Sequence, residues 1–374
     1  MAARRGAAAR WRWGRGCVVV GVAGWCVERL GCDVEAVTFE TGHLSRVLGL
    51  RLRDGREVVV KVRPWQNRLV TCVAVQEVLA GLGFPCPRPL AGPDRIGPHP
   101  VQAVHAEQLL PGGQMMPPGD DAAGMFAALL ADLVALTPYV AATQLASLRA
   151  CSPPWVGWDH IGEQLWPARD TPGRALHEQP GPDWVDEVAV AARALLLSAS
   201  DLPLVLGHGD WESQNLRWID RRPGAVHDWD SLVAQPEPAV VGAAAAVWPA
   251  GAASRHAATV QESEAFLDAY QHAAGRTWND RDRRLAWASG LWLRTYNAKR
   301  TPPTAAARNW TCSQTRSTNA DDSPASDPRR LLPEHDRLTA RAPGGGRTRL
   351  PGHFLIFHGS VAEADFWGGS LCGV

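Results

Sequence analysis

Residues 48–62 read LGLRLRDGREVVVKV, and this run constrains the fold more than any other stretch. Leu48, Leu50 and Leu52 alternate with Gly49, Arg51 and Arg53, Asp54-Gly55 supplies a reverse turn, and Arg56 to Val62 returns as a second strand. On the return strand Val58, Val60 and Val62 share one face, which puts Lys61 on the other, beside Val59. A helix is expected next, from about Asn67 to Leu82, closed by Gly81, Gly83 and Pro85. Val70, Val73, Glu77 and Ala80 fall three and four apart, so Glu77 is expected inside the apolar stripe, where a carboxylate needs a cation.

Downstream, a Pro-rich link (PCPRPLAGP) leads into an expected strand over Val101 to Leu110, which ends at Pro111-Gly112-Gly113. Helical spacing then dominates: Met125 to Leu136, Val185 to Ser198, Ala239 to Val247, Glu262 to Ala274 and Arg283 to Asn297. Short strands are expected at Leu204 to Leu206 and Ala225 to His227. At the other end, MAARRGAAARWRWGRG is basic, and the apolar run after it continues through Glu28 and Arg29 with no small-x-small cleavage site, so a short helix over Val19 to Leu30 is expected. Period disappears from about Thr301, where Pro, Ser, Thr and Arg accumulate, and 301–374 reads as a disordered tail.

Composition narrows the function classes. The 38 basic residues balance the 38 acidic ones, so no global field draws the chain to nucleic acid or to an anionic membrane. Elsewhere than the N-terminus no run approaches the ~20 apolar residues of a spanning helix. Eight cysteines without a C-x-x-C pair argue against a zinc ribbon, a redox motif or a disulfide framework, and a reducing cytoplasm is the expected home.

The chemistry concentrates in LGHGDWESQNLRW (206–218) and VHDWDSL (226–232). Phosphoryl transfer from a nucleotide needs a cation on the phosphates, oxygen ligands for magnesium, and an acid that orients the attacking hydroxyl. Asp210 can accept a hydrogen bond from the acceptor hydroxyl, Asn215 can offer its amide oxygen to a metal, and Asp228 can bridge magnesium to the phosphates. LRWIDRRPGAV between them is expected as a hairpin. Lys61 on its strand and Glu77 on the following helix match the lysine–glutamate pair that holds nucleotide phosphates in kinase-like folds.

On HGDWESQN, VHDWDSL, DGREVVVKV with Glu77, and the helical ending WLRTYNAK, residues 35–300 resemble the aminoglycoside phosphotransferase family of small-molecule kinases, relatives of choline kinases. The resemblance implies an α+β, protein-kinase-like fold: a basic segment and short helix over 1–34, a small β-rich nucleotide-binding lobe over 35–105 and a larger helical catalytic lobe over 106–300. It implies ATP and magnesium as cofactors and a small-molecule hydroxyl acceptor. Asp210 would be the catalytic aspartate, Asn215 and Asp228 the magnesium ligands, Lys61 with Glu77 the phosphate-binding pair, and His208 a brace of the catalytic loop. The backbone near Glu107 to Leu109 would meet adenine.

Two departures stand out. The phosphate-covering segment FETGHLSRVLG lacks a G-x-G-x-x-G, so backbone amides with the Thr41 and Ser45 hydroxyls would have to serve. Protein kinases place a lysine two residues beyond the catalytic aspartate, where this chain has Glu212, which disfavours a protein substrate. Asp210, Glu212 and Asp230 together would form an acidic mouth suited to an amine-bearing acceptor, and Asp230 alone reads equally as a second metal contact or a helix cap. Eleven of the 17 tryptophans lie between Trp155 and Trp292, and helical-core packing is their expected use. Two other readings stay open: a metal-dependent phosphoester hydrolase built on His208, Asp210, His227, Asp228 and Asp230, and a catalytically silent kinase-like binding module.

Overall fold

The computed structural model describes residues 18–300 apart from 43–44, 98–100, 117–120, 169–174 and 252–256. The expected basic segment up to residue 17 and the expected tail over 301–374 lie outside the described residues.

The hairpin read from residues 48–62 is the centre of an antiparallel sheet. β1 (Val34–Thr41), β2 (Arg46–Leu52), β3 (Glu57–Pro64), β4 (Pro89–Ile96) and β5 (Gln102–Gln108) are ordered β1-β2-β3-β5-β4. Leu48 pairs with Val60 and Leu50 with Val58, so the leucines and valines of the two-residue period fall on one face. That face is buried under α1 (Val18–Leu30), whose Val22, Trp25 and Cys26 join Leu48, Leu50, Val60 and Val62 in a single core. The opposite face carries Lys61 and Arg63 on β3 and, by register, His105 and Glu107 on β5. All four are buried, so this side of the sheet is a polar interior and not solvent.

β4 was not legible, because Pro89 and Pro93 break the strand pattern; it is an edge strand whose pairing to β5 shifts twice, the place where proline is tolerated. The β1–β2 turn begins at Gly42, where φ is 125° and an added Cβ would lie 1.9 Å from the Ser45 carbonyl oxygen. Only glycine fits there.

α2 (Arg68–Gly81) has the expected extent but a different buried face. Leu69, Cys72, Val73, Val75, Gln76 and Leu79 are buried, while Val70 is 51% exposed. The helix is rotated by about one residue from the stripe read in the sequence, so Gln76 takes the inward position expected of Glu77. Both stripes contain Val73, but the buried one also carries Leu69 and Leu79, the stronger apolar pair in this helix.

The helical lobe consists of α3 (Ala122–Ala135), α4 (Ala142–Ala150), α5 (Asp183–Leu197), α6 (Glu237–Val247), α7 (Val260–Ala273) and α8 (Asp280–Arg300). α6 is buried throughout and crosses α8 with backbones in contact: a Cβ on Gly242 would sit 1.9 Å from the Ala286 carbonyl oxygen. Ala122–Tyr139 is long and apolar enough to cross a membrane by length and composition, contrary to the expectation above, yet half of it is buried inside the protein, where α3 packs on α7. Two small β units interrupt the helices: β6 (Leu204–His208) pairs with β9 (Leu232–Pro236), and β7 (Leu216–Ile219) forms the expected hairpin with β8 (Arg222–Val226).

Candidate active site

Those two β units bring the motif residues together. β6 ends at His208 opposite Leu232, so the chain leaving β6 and the chain entering β9 lie side by side, and the Gly209 amide donates to the Ser231 carbonyl at 2.7 Å. The β7–β8 hairpin returns the chain so that the His227 amide donates to the Asn215 carbonyl at 2.8 Å. His208 is buried and spans both segments: its Nε2 lies 3.0 Å from the His227 carbonyl, and its Nδ1 accepts from the Asp210 amide at 3.2 Å. That pattern assigns the neutral Nε2–H tautomer, in keeping with burial pushing the imidazole down to about 4.

Asn215 donates from Nδ2 to the Asp210 carbonyl and to Asp210 Oδ2, both at 2.9 Å. One amide thereby fixes the catalytic-loop backbone and the carboxylate together. Asp228 sits in the left-handed region at φ 65°, ψ 46°, a conformation that Asp tolerates better than most residues and that clusters at functional sites.

Burial raises the Asp210 carboxyl to about 6, and the Asp228 charge adds to the rise, while the hydrogen bond from Asn215 opposes it. Burial also pushes Glu212 well above the ordinary carboxylate value, reinforced by the Asp210 charge and opposed by the Gln214 amide, which reaches Glu212 Oε2 at 2.6 Å. Asp210 and Glu212 are therefore both held toward the neutral form. The Arg300 charge, at the end of α8, favours ionisation of both Asp210 and Glu212.

Lys61 is 5% exposed and its Nζ lies 2.8 Å from Glu107 Oε1. The pairing with Glu77 is corrected here: Glu77 faces solvent and meets Arg88 at 3.0 Å, because its side of α2 points away from the sheet. The carboxylate comes instead from β5, and Gln76 of α2 donates to Glu107 Oε2 at 3.1 Å and to the Pro87 carbonyl at 2.8 Å. Burial would raise the Glu107 carboxyl, but the Lys61 charge and the hydrogen bonds from Lys61 and Gln76 outweigh it and hold it below the ordinary value. Glu107 therefore enters as a side chain, within the sheet, and Leu109 is the first expected adenine-edge position beyond β5, half-buried. Ser45 is half-buried at the start of β2, next to the Gly42 turn. Replacement of Glu77 by Ala is expected to change turnover and melting temperature negligibly, since an exposed ion pair contributes about 0–1 kcal/mol; a large loss of activity would restore Glu77 to the site.

The Lys61 charge also reaches the segment next to Asp228. After burial itself, the Lys61 charge is the main influence pushing His227, the neighbour of Asp228, down to about 4. Asp230 does not cap a helix: it lies inside the turn Trp229–Ser231, and its Oδ2 is engaged by Arg63 Nη1 from β3. With both His208 ring nitrogens committed, the two-metal hydrolase set loses that histidine. Among the described residues no group of three or more His, Cys, Asp and Glu is arranged to hold a metal.

A magnesium ion takes oxygen ligands and is held by one or two protein groups together with substrate phosphates. Asp228 and the Asn215 amide oxygen, whose NH2 is committed to Asp210, fit that requirement, and the repulsion between Asp228 and Asp210 is a field that a cation would relieve.

No protein-family model matches the chain, and no curated protein matches it. Solved structures do. Amicoumacin kinase hAmiN, in complex with AMP-PNP, Ca2+ and Ami, superposes with a TM-score of 0.53 at 11% identity, covering 75% of this chain and 86% of that one. The chain has a kinase-like fold. Two further structures are similar with lower scores: macrolide 2'-phosphotransferase MphH from Brachybacterium faecium (TM-score 0.46, 19% identity, 81% of this chain and 99% of that one), and a thermostable mutant of aminoglycoside phosphotransferase APH(4)-Ia with AMP-PNP and hygromycin B (0.49, 17%, 79% and 96%). Within this kinase-like fold, Lys61 and Glu107 belong to the β-rich lobe and the Asp210, Asn215 and Asp228 segments to the helical lobe.

Sequence reasoning missed Gln76, Arg63, Arg68 and the carboxylate role of Glu107. Arg63 carried a signal: it follows Lys61 by two residues and so shares its face. Glu107 carried none, because the β3–β5 register that places it beside Lys61 joins residues 46 apart.

Proposed function

We propose that the protein is a small-molecule kinase of the aminoglycoside phosphotransferase kind, transferring the γ-phosphate of ATP to a hydroxyl of a small acceptor with the help of magnesium. The observation that carries this reading is a buried, ion-paired Lys61 whose field reaches the Asp228 segment, opposite an Asp210 held by Asn215. The fold-sharing amicoumacin kinase, in complex with AMP-PNP and Ca2+, supports a nucleotide and a divalent cation here.

Lys61 would hold phosphate oxygens from the sheet side, with Glu107 keeping its ammonium extended toward the cleft. Asp210 accepts the acceptor's O–H, aligns that oxygen in line with the γ-phosphorus and takes its proton as the new P–O bond forms and the bond to the β-phosphate oxygen breaks, releasing ADP. Asn215 fixes the rotamer that makes this possible. Magnesium, held by Asp228 and Asn215, would neutralise charge on the β- and γ-phosphates. Asp210, ionised above about pH 6, gives the acceptor side a negative field, which favours an acceptor carrying an ammonium group near its hydroxyl. Unpaired thiols at Cys26, Cys32, Cys72, Cys86 and Cys151 and the need for ATP fit a cytoplasmic setting.

The test is release of ADP by purified protein with magnesium, ATP and a panel of aminoglycosides, macrolides, amino-alcohols and sugars. Acceptor-dependent release supports the reading. Phosphoester hydrolysis in the absence of nucleotide would favour the hydrolase, and nucleotide binding without turnover of any acceptor the silent module.

A further inference from the structure

Two arginines of the β-rich lobe reach across to the segment that carries Asp228. Arg63, at the end of β3, pairs through Nη1 with Asp230 Oδ2. Arg68, in the first turn of α2, donates from Nη1 to the Asp230 carbonyl and from Nη2 to the Leu232 carbonyl. Both guanidinium groups are buried, at 6% and 8% exposure, and such groups are rarely found there without a specific task. Asp228 is the strongest opposing charge that Arg63 feels. The segment they grip is internally tied: the Ser231 amide donates to the Asp228 carbonyl at 2.9 Å, and the Ser231 carbonyl accepts from Gly209, next to Asp210. The left-handed Asp228 thus lies between two anchors, one on each lobe.

We propose that Arg63 and Arg68 form an interlobe clamp on Asp228–Leu232, with the Arg63–Asp230 ion pair as the positioning element that presents Asp228 to the cation. The proposal rests on the kinase reading for its consequence, and on the hydrogen bonds alone for its geometry. Neither arginine touches the reacting atoms. Their task is to hold the left-handed conformation at Asp228, a strained backbone state that persists only when its surroundings over-determine it. Arg63 Nε and Nη2 and Asp230 Oδ1 are buried without a hydrogen-bond partner, so the pair is not a fully satisfied structural bridge.

The experiment compares wild type with Arg63→Gln, Asp230→Asn, the double variant, Arg63→Lys and Arg68→Met. Hydrogen exchange of the amides of residues 228–232 is measured without nucleotide, and the magnesium dependence of turnover with it. The clamp predicts at least tenfold faster exchange in Arg63→Gln and Asp230→Asn, with the sheet amides of β3 and β5 unchanged. It predicts a magnesium half-saturation raised about tenfold and kcat lowered, KM for ATP at saturating magnesium within twofold, a double variant no worse than either single, and partial rescue by Arg63→Lys. Unchanged exchange at 228–232, or effects of the two single changes that multiply in the double, would overturn it. If Arg63→Gln fails to fold, Asp230→Asn and Arg68→Met carry the same test. Faster exchange in a protein that turns over no acceptor would leave the clamp standing and sink the kinase reading; normal exchange in an active kinase would do the reverse.

Discussion

Asp210→Asn is expected to lower kcat by about 10³-fold, within the 10²–10⁴ that a positioned acid–base group contributes, while leaving magnesium–ATP affinity within a few-fold of wild type. The same change is expected to stabilise the nucleotide-free protein. Asp210 holds its proton more tightly folded (about 6) than unfolded (3.8), so its favourable contribution is full below about 3.8 and is lost as pH rises through about 6. At pH 8 the ionised carboxylate costs on the order of 1–3 kcal/mol, allowing for its partial exposure, and asparagine avoids that cost. A melting temperature several degrees higher at pH 8, shrinking toward wild type near pH 4, is the expected signature. By the same ionisation, kcat/KM of the wild type should climb through about pH 6 and level off above it. An Asn variant with wild-type turnover would remove Asp210 from the chemistry, and one equally stabilised at pH 4 would show that charge is not the cause.

Glu107→Leu is expected to have the largest effect on folding. It leaves the Lys61 ammonium buried without its carboxylate, a loss of about 3–5 kcal/mol, seen as a fall of roughly 5–8 °C in melting temperature for a chain of this size. Lys61→Met in the same background should recover much of that loss, because two apolar side chains can replace a buried ion pair. Activity should not return with it, since the phosphates have lost their cation. A double variant as unstable as Glu107→Leu alone would mean that Glu107 acts through Gln76 and not through Lys61. Full activity of Glu107→Leu would contradict the pairing.

The parts of the fold written in short-range pattern were legible. Alternation at 48–62 placed the β2–β3 hairpin and sent Lys61 to the face opposite the valines, and apolar spacing located five of the helical-lobe helices to within a few residues. The motif around Asp210 and Asn215 was readable for a related reason: the elements that assemble it, β6 to β9, are contiguous in the chain. What escaped depends on register and rotation. The stripe read for α2 overlaps the true one at Val73, and packing against β4, α4 and the Asp230 turn takes the phase that buries Leu69, Cys72, Gln76 and Leu79 and exposes Glu77. The carboxylate for Lys61 and the partner for Asp230 come from pairings across 46 and 167 residues, which no local period encodes. Asp230 read equally as a metal contact or a cap, and neither reading foresaw the buried arginine two residues after Lys61 that engages it.

The central claim is that the Lys61 side of the cleft and the Asp228 side grip one nucleotide. Calorimetric titration of magnesium–ATP into wild type, Lys61→Met and Asp228→Asn tests it most directly. One site per chain in wild type, weakened at least tenfold by either change, is the predicted result. Wild-type affinity in either variant, or no binding to the wild type, would contradict it.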